Sequence, residues 1–355
     1  MNEYVFPLML VLLASLFQGT FGLGMKYIKP LAWEAWWVVH ATVAMLLFPW
    51  IWAFLVVPDL CSVLAQSPGD ALFKGALFGF LWGVGGIMFG VSVRYVGVSL
   101  TYGIVMGLAA LMGSLVPLLQ IKDVSSNPAL PFVIAGMVLL LVGVAIAAYA
   151  GLRRDAVQAA ENKQAADIQQ GKAFRVGLAI AIASGVLSAL LNVGFANTES
   201  VGQQAEKLGA LSRNTSLARW VVVLAGAYLM NIGYAVFLLV KNRSAGSFSV
   251  AGAGKAYRWA IIAGLLWFAA LGVYGQGAAL MGSLGPVIGW PMLLGLALIV
   301  SNVLAVWTGE WRGAAGPLKI MIAGVVVLIL ACCLLGYSNR LQTQAAPPQT
   351  AQLTR

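Results

Sequence analysis

The chain has 355 residues, of which 61% are hydrophobic and only 9% are charged, and its mean hydropathy is +0.90. A soluble globular protein carries about 25% charged residues, so this chain has too few polar side chains to cover a water-exposed surface. The formal net charge of +10 would suggest nucleic-acid binding in a soluble protein, but in a membrane protein basic loops set the orientation.

Apolar stretches of about 18 or more residues recur along the whole chain, which is the pattern of transmembrane helices and not of a β-barrel. We predict ten spans, each near the roughly 20 residues that cross the hydrocarbon core. They cover residues 5–25, 32–57, 72–95, 98–119, 130–151, 173–197, 217–240, 258–281, 286–308 and 317–337. The first run follows Glu3 and precedes Lys26. This is the reverse of the charge order of a signal peptide, so we interpret the run as a retained span.

A polar, charged connection at residues 153–172 divides the spans into two sets of five. We predict a first five-helix repeat over residues 1–152 and a second over 173–337. The polar residues 338–355 include a Pro pair and are predicted to be a disordered tail.

Basic residues indicate how the chain crosses the membrane. The connections between spans 1–2, 3–4, 5–6, 7–8 and 9–10 hold 14 Lys and Arg residues, and the opposite side, including both termini, holds 7. The positive-inside rule places the richer side, with the 153–172 linker, in the cytoplasm. Both termini are then predicted to be periplasmic, in a multi-pass protein of the bacterial inner membrane.

The two halves of the chain contain similar segments. IAGMVLLLVGVAIAAYAG (134–151) aligns with IAGVVVLILACCLLGYSN (322–339), and GFLW (79–82) aligns with GLLW (264–267), at nearly the same offset. Because five is an odd number, a five-span repeat must be inverted across the membrane. Inverted repeats are typical of secondary transporters, which bind substrate near the midplane. The chain has no GxxxxGK[ST] loop and no HExxH motif, so neither an ATP-driven motor nor an enzyme is predicted.

Ten spans with this repeat resemble the drug/metabolite transporter superfamily, and within it the bacterial L-rhamnose–proton symporters. The residues that carry the resemblance are WEAWW (33–37), FPW (48–50), GVSVRYVGVSL (90–100), Asn197, NIGY (231–234), LLWF (265–268), Tyr274, Trp290 and GEW (309–311). The resemblance implies a proton-coupled sugar transporter with the proton as its coupling ion and no other cofactor.

Polar side chains inside spans are unfavourable unless they have a function or a partner. Asn and Gln offer both hydrogen-bond donors and acceptors to sugar hydroxyls, and aromatic rings can face the C–H surfaces of a sugar. The candidate sugar-binding residues are Gln18, Trp82, Asn192, Asn197, Asn231, Trp267, Tyr274, Gln276, Trp290 and Asn302. The alternative for each Asn and Gln is a structural hydrogen bond between helices, worth about 1 kcal/mol.

Glycines and one proline suggest where helices approach each other or bend. Gly75, Gly79 and Gly83 form a small-xxx-small ridge, which predicts close helix contact. Pro49 lies inside the second span and is predicted to kink it, because proline removes a backbone donor.

Only two carboxylates, Glu34 and Glu310, lie directly beside a span. A carboxylate in a low-dielectric site can hold and release a proton, so Glu34 is the first candidate for proton coupling. The same residue could instead form an ion-paired gate with Arg94, Glu310 and nearby lysines at the cytoplasmic face. A third interpretation is a residue of the interfacial tryptophan belt.

His40, the only histidine, lies deeper in the same span and is a candidate proton relay, although a neutral packed histidine is commoner. No second histidine or acidic cluster suggests a metal site. The leading hypothesis is proton-coupled uptake of L-rhamnose or a similar deoxysugar by a monomer or homodimer in membrane lipid, without a nucleic-acid partner. The alternatives are an exporter or facilitator of another small metabolite, such as an amino acid, and a non-transporting membrane sensor.

Overall fold

The computed structural model describes residues 4–161 and 171–345, and this part of the chain consists of helices and short connections without a strand. Ten helices are long and apolar enough to cross a membrane, which confirms the predicted all-helical, ten-span architecture. They are α1 (Val5–Tyr27), α2 (Trp33–Val56), α3 (Gly69–Val96), α4 (Val98–Gln120), α5 (Leu130–Glu161), α6 (Lys172–Asn197), α7 (Thr215–Lys241), α8 (Gly254–Leu280), α9 (Gly285–Trp307) and α10 (Ala315–Ala345).

The first two spans are not regular α-helices along their whole length. The last part of α1, Phe21–Tyr27, is a 3-10 helix, and the middle of α2, Thr42–Leu47, is a π-helical segment. Pro49 follows that segment directly, in the first turn of the α-helix Phe48–Val56. Proline has no N–H group and its ring clashes with the preceding turn, so the wider π-turn accommodates it. The local distortion predicted from Pro49 therefore takes the form of a π-bulge.

The last helix extends beyond the predicted end of the tenth span. Ser338 and Asn339 were assigned to a disordered tail, but both are buried, and Asn339 Nδ2 donates a hydrogen bond to the carbonyl of Tyr4 at 3.1 Å. These contacts with the start of the chain hold the polar residues in helical form up to Ala345, so the predicted tail starts too early. Residues 346–355 lie outside the described residues. Helix α5 continues to Glu161, so the first part of the predicted 153–172 linker is helical; residues 162–170 are not described.

The glycines of α3 allow α7 to approach closely. A Cβ atom at Gly79 would overlap the carbonyl oxygen of Val223, and one at Gly226 would overlap the carbonyl oxygen of Ala76. Gly83 of the same ridge faces Met230. The helices therefore pack backbone against backbone, as the small-residue ridge predicted.

The pairing of the helices has a regular pattern. α1 packs on α8 and α9, and α6 packs on α3 and α4. α5 packs on α10, α4 on α9 and α2 on α7, while α3 contacts α7 and α8 contacts α2. When each helix of the first five is exchanged with its counterpart in the second five (α1 with α6, α2 with α7, and so on), the same set of pairs results.

The side chains divide into a lipid-facing surface and an aromatic interior. Large apolar residues such as Leu55, Leu119 and Val240 are strongly exposed on the outer faces of helices, as expected in a bilayer. Trp220 and Tyr274 are fully buried between helices. Asn192 of α6 is fully buried as well and is in contact with Tyr274.

A substitution at Gly79 tests the close approach of α3 and α7. Gly79→Ala adds the Cβ atom that overlaps Val223, and overpacking of this kind typically costs about 1–3 kcal/mol. We expect the Tm of the purified protein to fall by a few degrees, because a loss of this size in the free energy of unfolding lowers the Tm by that amount. Gly86→Ala, in the same helix, is the control, because a Cβ there meets no atom within 4 Å. Equal Tm values for the two variants would contradict the close contact.

Candidate functional site

Three of the predicted sugar-binding residues form one buried hydrogen-bonded layer. Asn192 of α6 is fully buried, and its Nδ2 donates to the carbonyls of Gly113 (2.8 Å) and Pro286 (3.0 Å). Its Oδ1 accepts a hydrogen bond from the hydroxyl of Tyr274 at 2.6 Å. Asn192 therefore links α6 to α4, α8 and α9, and each side-chain atom has the partner that its chemistry requires.

Trp290 completes this layer from α9. Its Nε1 donates to the carbonyl of Ala109 in α4 at 3.0 Å, and its ring lies 5.6 Å from that of Tyr274. A Cβ at Gly113 would come within 2.6 Å of Trp290 Nε1, so only glycine leaves room for the indole there. We call Asn192, Tyr274 and Trp290, with the backbone they bind, the central layer.

A cavity lies on each side of the central layer. The Arg154 cavity, about 210 Å³, is lined by the first turns of α4 and the end of α9, with Ser99, Tyr102, Arg154, Asn302, Glu310 and Trp311. The Arg219 cavity, about 340 Å³, is lined by the end of α4 and the start of α9, with Gln120, Glu199, Gln203, Glu206, Arg219 and Pro286.

Positions along α4 and α9 show how the cavities are separated. On α4 the first cavity ends at Gly103 and the second begins at Pro117, with Ala109 and Gly113 between them. At 1.5 Å per residue this is about 20 Å of helix. The central layer lies within this interval, so the two cavities lie toward opposite ends of these helices with its hydrogen bonds between them.

A second cluster of predicted residues lies between α2, α3, α7 and α8. Trp37 Nε1 donates to Asn231 Oδ1 at 3.1 Å, and the Nδ2 of Asn231 donates to Ala227 in its own helix. The rings of Trp82 and Trp267 lie 5.5 Å apart. Asn231 thus bonds Trp37, which is not among the predicted sugar platforms, and its amide is already satisfied by protein groups.

The other predicted polar residues lie apart from the central layer. Asn197 and Asn302 bond carbonyls of their own helices, at Val193 and Leu298, and Asn302 also lines the Arg154 cavity. Gln276 Nε2 donates to Asn214 at 3.1 Å. Gln18 has a buried Oε1 without a hydrogen-bond partner among the described residues.

Glu34 is buried at the start of α2, although the sequence placed it near the interface. Its Oε1 accepts hydrogen bonds from Asn242 Nδ2 at 3.0 Å and from the hydroxyl of Ser244. Both donors belong to the connection between α7 and α8, so Glu34 ties α2 to that connection. Within the described residues no cation lies at ion-pair distance from Glu34.

Of the charged residues predicted to form a gate, only Glu310 and one of the nearby lysines form an ion pair within the described part of the chain. Glu310 pairs with Lys26 at 2.7 Å, and both side chains are more than 40% exposed. An exposed pair of this kind contributes about 0–1 kcal/mol. Arg94 is exposed and takes part in none of the ion pairs found in the described part of the chain. This conformation therefore joins neither Glu34 nor Glu310 to Arg94.

His40 is buried among aromatic rings. Trp36 stacks on it at 5.2 Å and Trp37 lies at 5.0 Å. Its Nδ1 has no hydrogen-bond partner in the described residues. No group of three or more His, Cys, Asp or Glu residues that could hold a metal occurs in residues 4–161 and 171–345.

Arg219 is a candidate functional residue that sequence reasoning missed. The count of basic residues includes it with the connection before the seventh span, although the predicted span 217–240 contains it; it lies inside α7 and is 94% buried. The signal was available, because Arg219 is followed directly by Trp220 and a long apolar run. A cation that opens an apolar run, with no acidic residue in the next turn, is a candidate for a site in a membrane protein.

Comparisons with known proteins agree with these observations. A sequence model of the family described as L-rhamnose-proton symport protein matches residues 1–340. Proteins named L-rhamnose-proton symporter from Yersinia pestis (strain Pestoides F) and Yersinia pseudotuberculosis (serotype O:3, strain YPIII) are each 28% identical to this chain over 320 residues. The alignments cover 88% of this chain and 91% of each relative. The chain therefore belongs to the L-rhamnose-proton symport protein family, a family of membrane transporters and not of enzymes.

Proposed function

We propose that this protein imports L-rhamnose or a similar deoxysugar together with a proton, by alternating access. Family membership supports the substrate and the coupling ion. The geometry that supports the mechanism is the pair of cavities on opposite sides of the central layer. A carrier that never opens both sides at once needs such a barrier, and a binding site beside it.

The inverted repeat remains part of this proposal. Its support is the helix pairing, which keeps the same pattern when the first five spans are exchanged with the second five. Rocking of one half against the other would then open the Arg219 cavity and the Arg154 cavity in turn.

We also propose that both termini and the Arg219 cavity face the periplasm, and that residues 153–172 face the cytoplasm. The excess of basic residues supports this orientation. Sugar would enter through the Arg219 cavity and leave through the Arg154 cavity. This is the direction of uptake, and the inward proton gradient would drive sugar the same way.

The central layer is the place where sugar hydroxyls can replace protein hydrogen bonds. When Asn192 separates from Gly113 and Pro286, its amide needs new acceptors, and the hydroxyl of Tyr274 needs a new one as well. A sugar supplies both acceptors and donors, so the layer can open without leaving buried polar groups unsatisfied. The ring of Trp290 offers an apolar surface beside it.

Glu34 is proposed to bind the coupled proton at the opposite end of the protein from the Arg219 cavity. An ionised carboxylate accepts hydrogen bonds only, so it suits the donors Asn242 and Ser244. Protonation turns one oxygen into a donor and weakens the tie between α2 and the α7–α8 connection. Binding of the proton and release of α2 from that connection would then be one event. His40, six residues further along α2, is a second titratable group that could take part in proton transfer in this helix.

An uptake assay tests the function. In proteoliposomes with an acidic outside, we expect labelled L-rhamnose to accumulate and a protonophore to abolish the accumulation. A gradient of one pH unit is worth about 1.4 kcal/mol per proton. Acting alone, it supports at most about tenfold sugar accumulation when one proton is transported per sugar. Uptake that is indifferent to the gradient would indicate a facilitator. Transport of another metabolite without any rhamnose uptake would favour the alternative substrate.

Removing one hydroxyl tests the central layer. Tyr274→Phe deletes the donor to Asn192 Oδ1 and leaves a buried acceptor unsatisfied, which costs about 1–3 kcal/mol. We expect a lower Tm and a KM for rhamnose raised by about tenfold. Tyr257→Phe is the control, because its hydroxyl also donates one hydrogen bond, to Phe248, but far from the layer. A KM unchanged in both variants would remove Tyr274 from the sugar site.

Glu34→Gln separates proton coupling from structure. Glutamine keeps an acceptor oxygen for Asn242 and Ser244 but does not titrate. We expect sugar exchange at equal pH to continue and proton-driven accumulation to disappear. Asp70→Asn is the control, since that carboxylate is strongly exposed beside Lys74. Full accumulation by Glu34→Gln would exclude coupling through Glu34, and loss of exchange as well would indicate a structural role.

A further inference from the structure

The Arg219 cavity is the larger of the two cavities and has a ligand-sized volume. Small-molecule sites usually occupy about 300–1,000 Å³, and this cavity measures about 340 Å³ against about 210 Å³ for the Arg154 cavity. Its mouth carries the exposed side chains of Glu199, Gln203 and Glu206 from the short helix Glu199–Lys207. The buried Arg219 lies deeper in its wall.

Arg219 is bound by the protein through only part of its donor set. Its Nε and Nη2 donate to one acceptor, the carbonyl of Phe195, at 3.1 and 2.6 Å. A guanidinium has five N–H groups, so three have no protein acceptor within the described residues. No carboxylate described there lies within 4.0 Å of it. A buried cation without an ion partner is unfavourable, and a ligand in the cavity would supply the missing acceptors.

The guanidinium is also held in a fixed position. It lies 3.8 Å above the ring of Phe195, which is itself fully buried and stacks on Trp220 at 4.5 Å. A donor that is already immobilised loses little conformational entropy when a ligand binds. Two hydrogen bonds to the backbone carbonyl of Phe195 orient the guanidinium, and the Arg219 side chain also lines the cavity.

We propose that the Arg219 cavity is a binding site for a neutral, polyhydroxylated sugar, in which Arg219 donates to one hydroxyl and Glu199 accepts from another. This inference rests on the proposed function and names where the sugar first binds. Guanidinium groups only donate hydrogen bonds and ionised carboxylates only accept them, so the pair orients a molecule whose hydroxyls do both. The amides of Gln120 and Gln203 line the same space.

The charges of the cavity favour a neutral ligand over a charged one. Glu199 and Glu206 oppose one arginine, so a sugar acid would meet two carboxylates on its way in, and an amino sugar would meet a buried cation at the inner wall. Like charges at short range disfavour such ligands. A neutral deoxysugar meets neither penalty.

The site is connected to the central layer through Pro286. This residue lines the cavity, and its carbonyl accepts the hydrogen bond from Asn192 Nδ2. A sugar held by Arg219 therefore lies against a wall that belongs to the layer. Movement of that wall would bring the sugar to Asn192 and Tyr274.

Protection of an introduced cysteine tests occupancy of the cavity. The full-length protein, with Cys61, Cys332 and Cys333 replaced by Ala, would carry Ser283→Cys, an exposed cavity position, or Ser126→Cys, which is exposed on the same face outside the cavity. We expect saturating L-rhamnose to slow maleimide labelling at Ser283→Cys by several-fold and to leave Ser126→Cys unchanged. Equal labelling with and without sugar, in protein that transports rhamnose, would overturn the proposal.

Binding measurements test the residues. Arg219→Gln and Glu199→Gln should each raise the Kd for L-rhamnose about tenfold, the usual effect of losing a hydrogen bond to a charged group. Arg213→Gln, an exposed arginine on the same face, removes the same charge and should bind as the wild type does. Glu199 is exposed, so its variant keeps the test valid if Arg219→Gln does not fold.

The outcomes separate the two proposals. Wild-type transport of rhamnose, with an unchanged Kd in Glu199→Gln and in folded Arg219→Gln, would overturn the site and leave the proposed function intact. Tighter binding of a hexuronic acid than of rhamnose would overturn the neutral ligand. A wild-type protein that neither binds nor transports any neutral deoxysugar would remove the proposed function and this site with it.

Discussion

The hydrogen bonds of Asn192 are the interaction on which the rest of this structure depends. In the membrane interior no water is available to satisfy a polar group, so a buried amide must find every partner within the protein. Asn192 finds them in α4, α8 and α9. Glycine at position 113 leaves room for the indole of Trp290 beside this contact. One side chain thus links four helices at a level between the two cavities.

A barrier made of hydrogen bonds can be opened by a molecule that replaces them. An apolar plug of the same size would separate the cavities as well, but a sugar could not substitute for its contacts. The central layer instead presents the donor and acceptor types that hydroxyl groups carry. In the proposed mechanism, the difference between the closed and open states is an exchange of hydrogen-bond partners, which keeps its free energy within a few kcal/mol. Transport at a useful rate requires such a small difference.

Much of the fold could be predicted, because span length and apolar content reflect the thickness of the bilayer. The site could be predicted only in part. Asn192 and Tyr274 were found as polar groups in apolar runs, but the carbonyl of Gly113 has no signal of its own in the sequence. Arg219 lies at the edge of the predicted seventh span, and an edge position does not show whether a basic side chain faces water or the protein interior. The helical end of α10 depends on a bond from Asn339 to Tyr4, a contact between the two ends of the chain.

Helix α7 joins the two proposed binding events. Arg219 lies near its start, Asn231 in its middle accepts a hydrogen bond from Trp37 of α2, and Asn242 directly after its end donates to Glu34. From Arg219 to Asn242 the helix extends about 35 Å. With sugar bound at Arg219 and the proton at Glu34, as proposed, α7 could not tilt without changing both sites. Sugar and proton would then favour the same tilt, and this shared element is what symport requires thermodynamically.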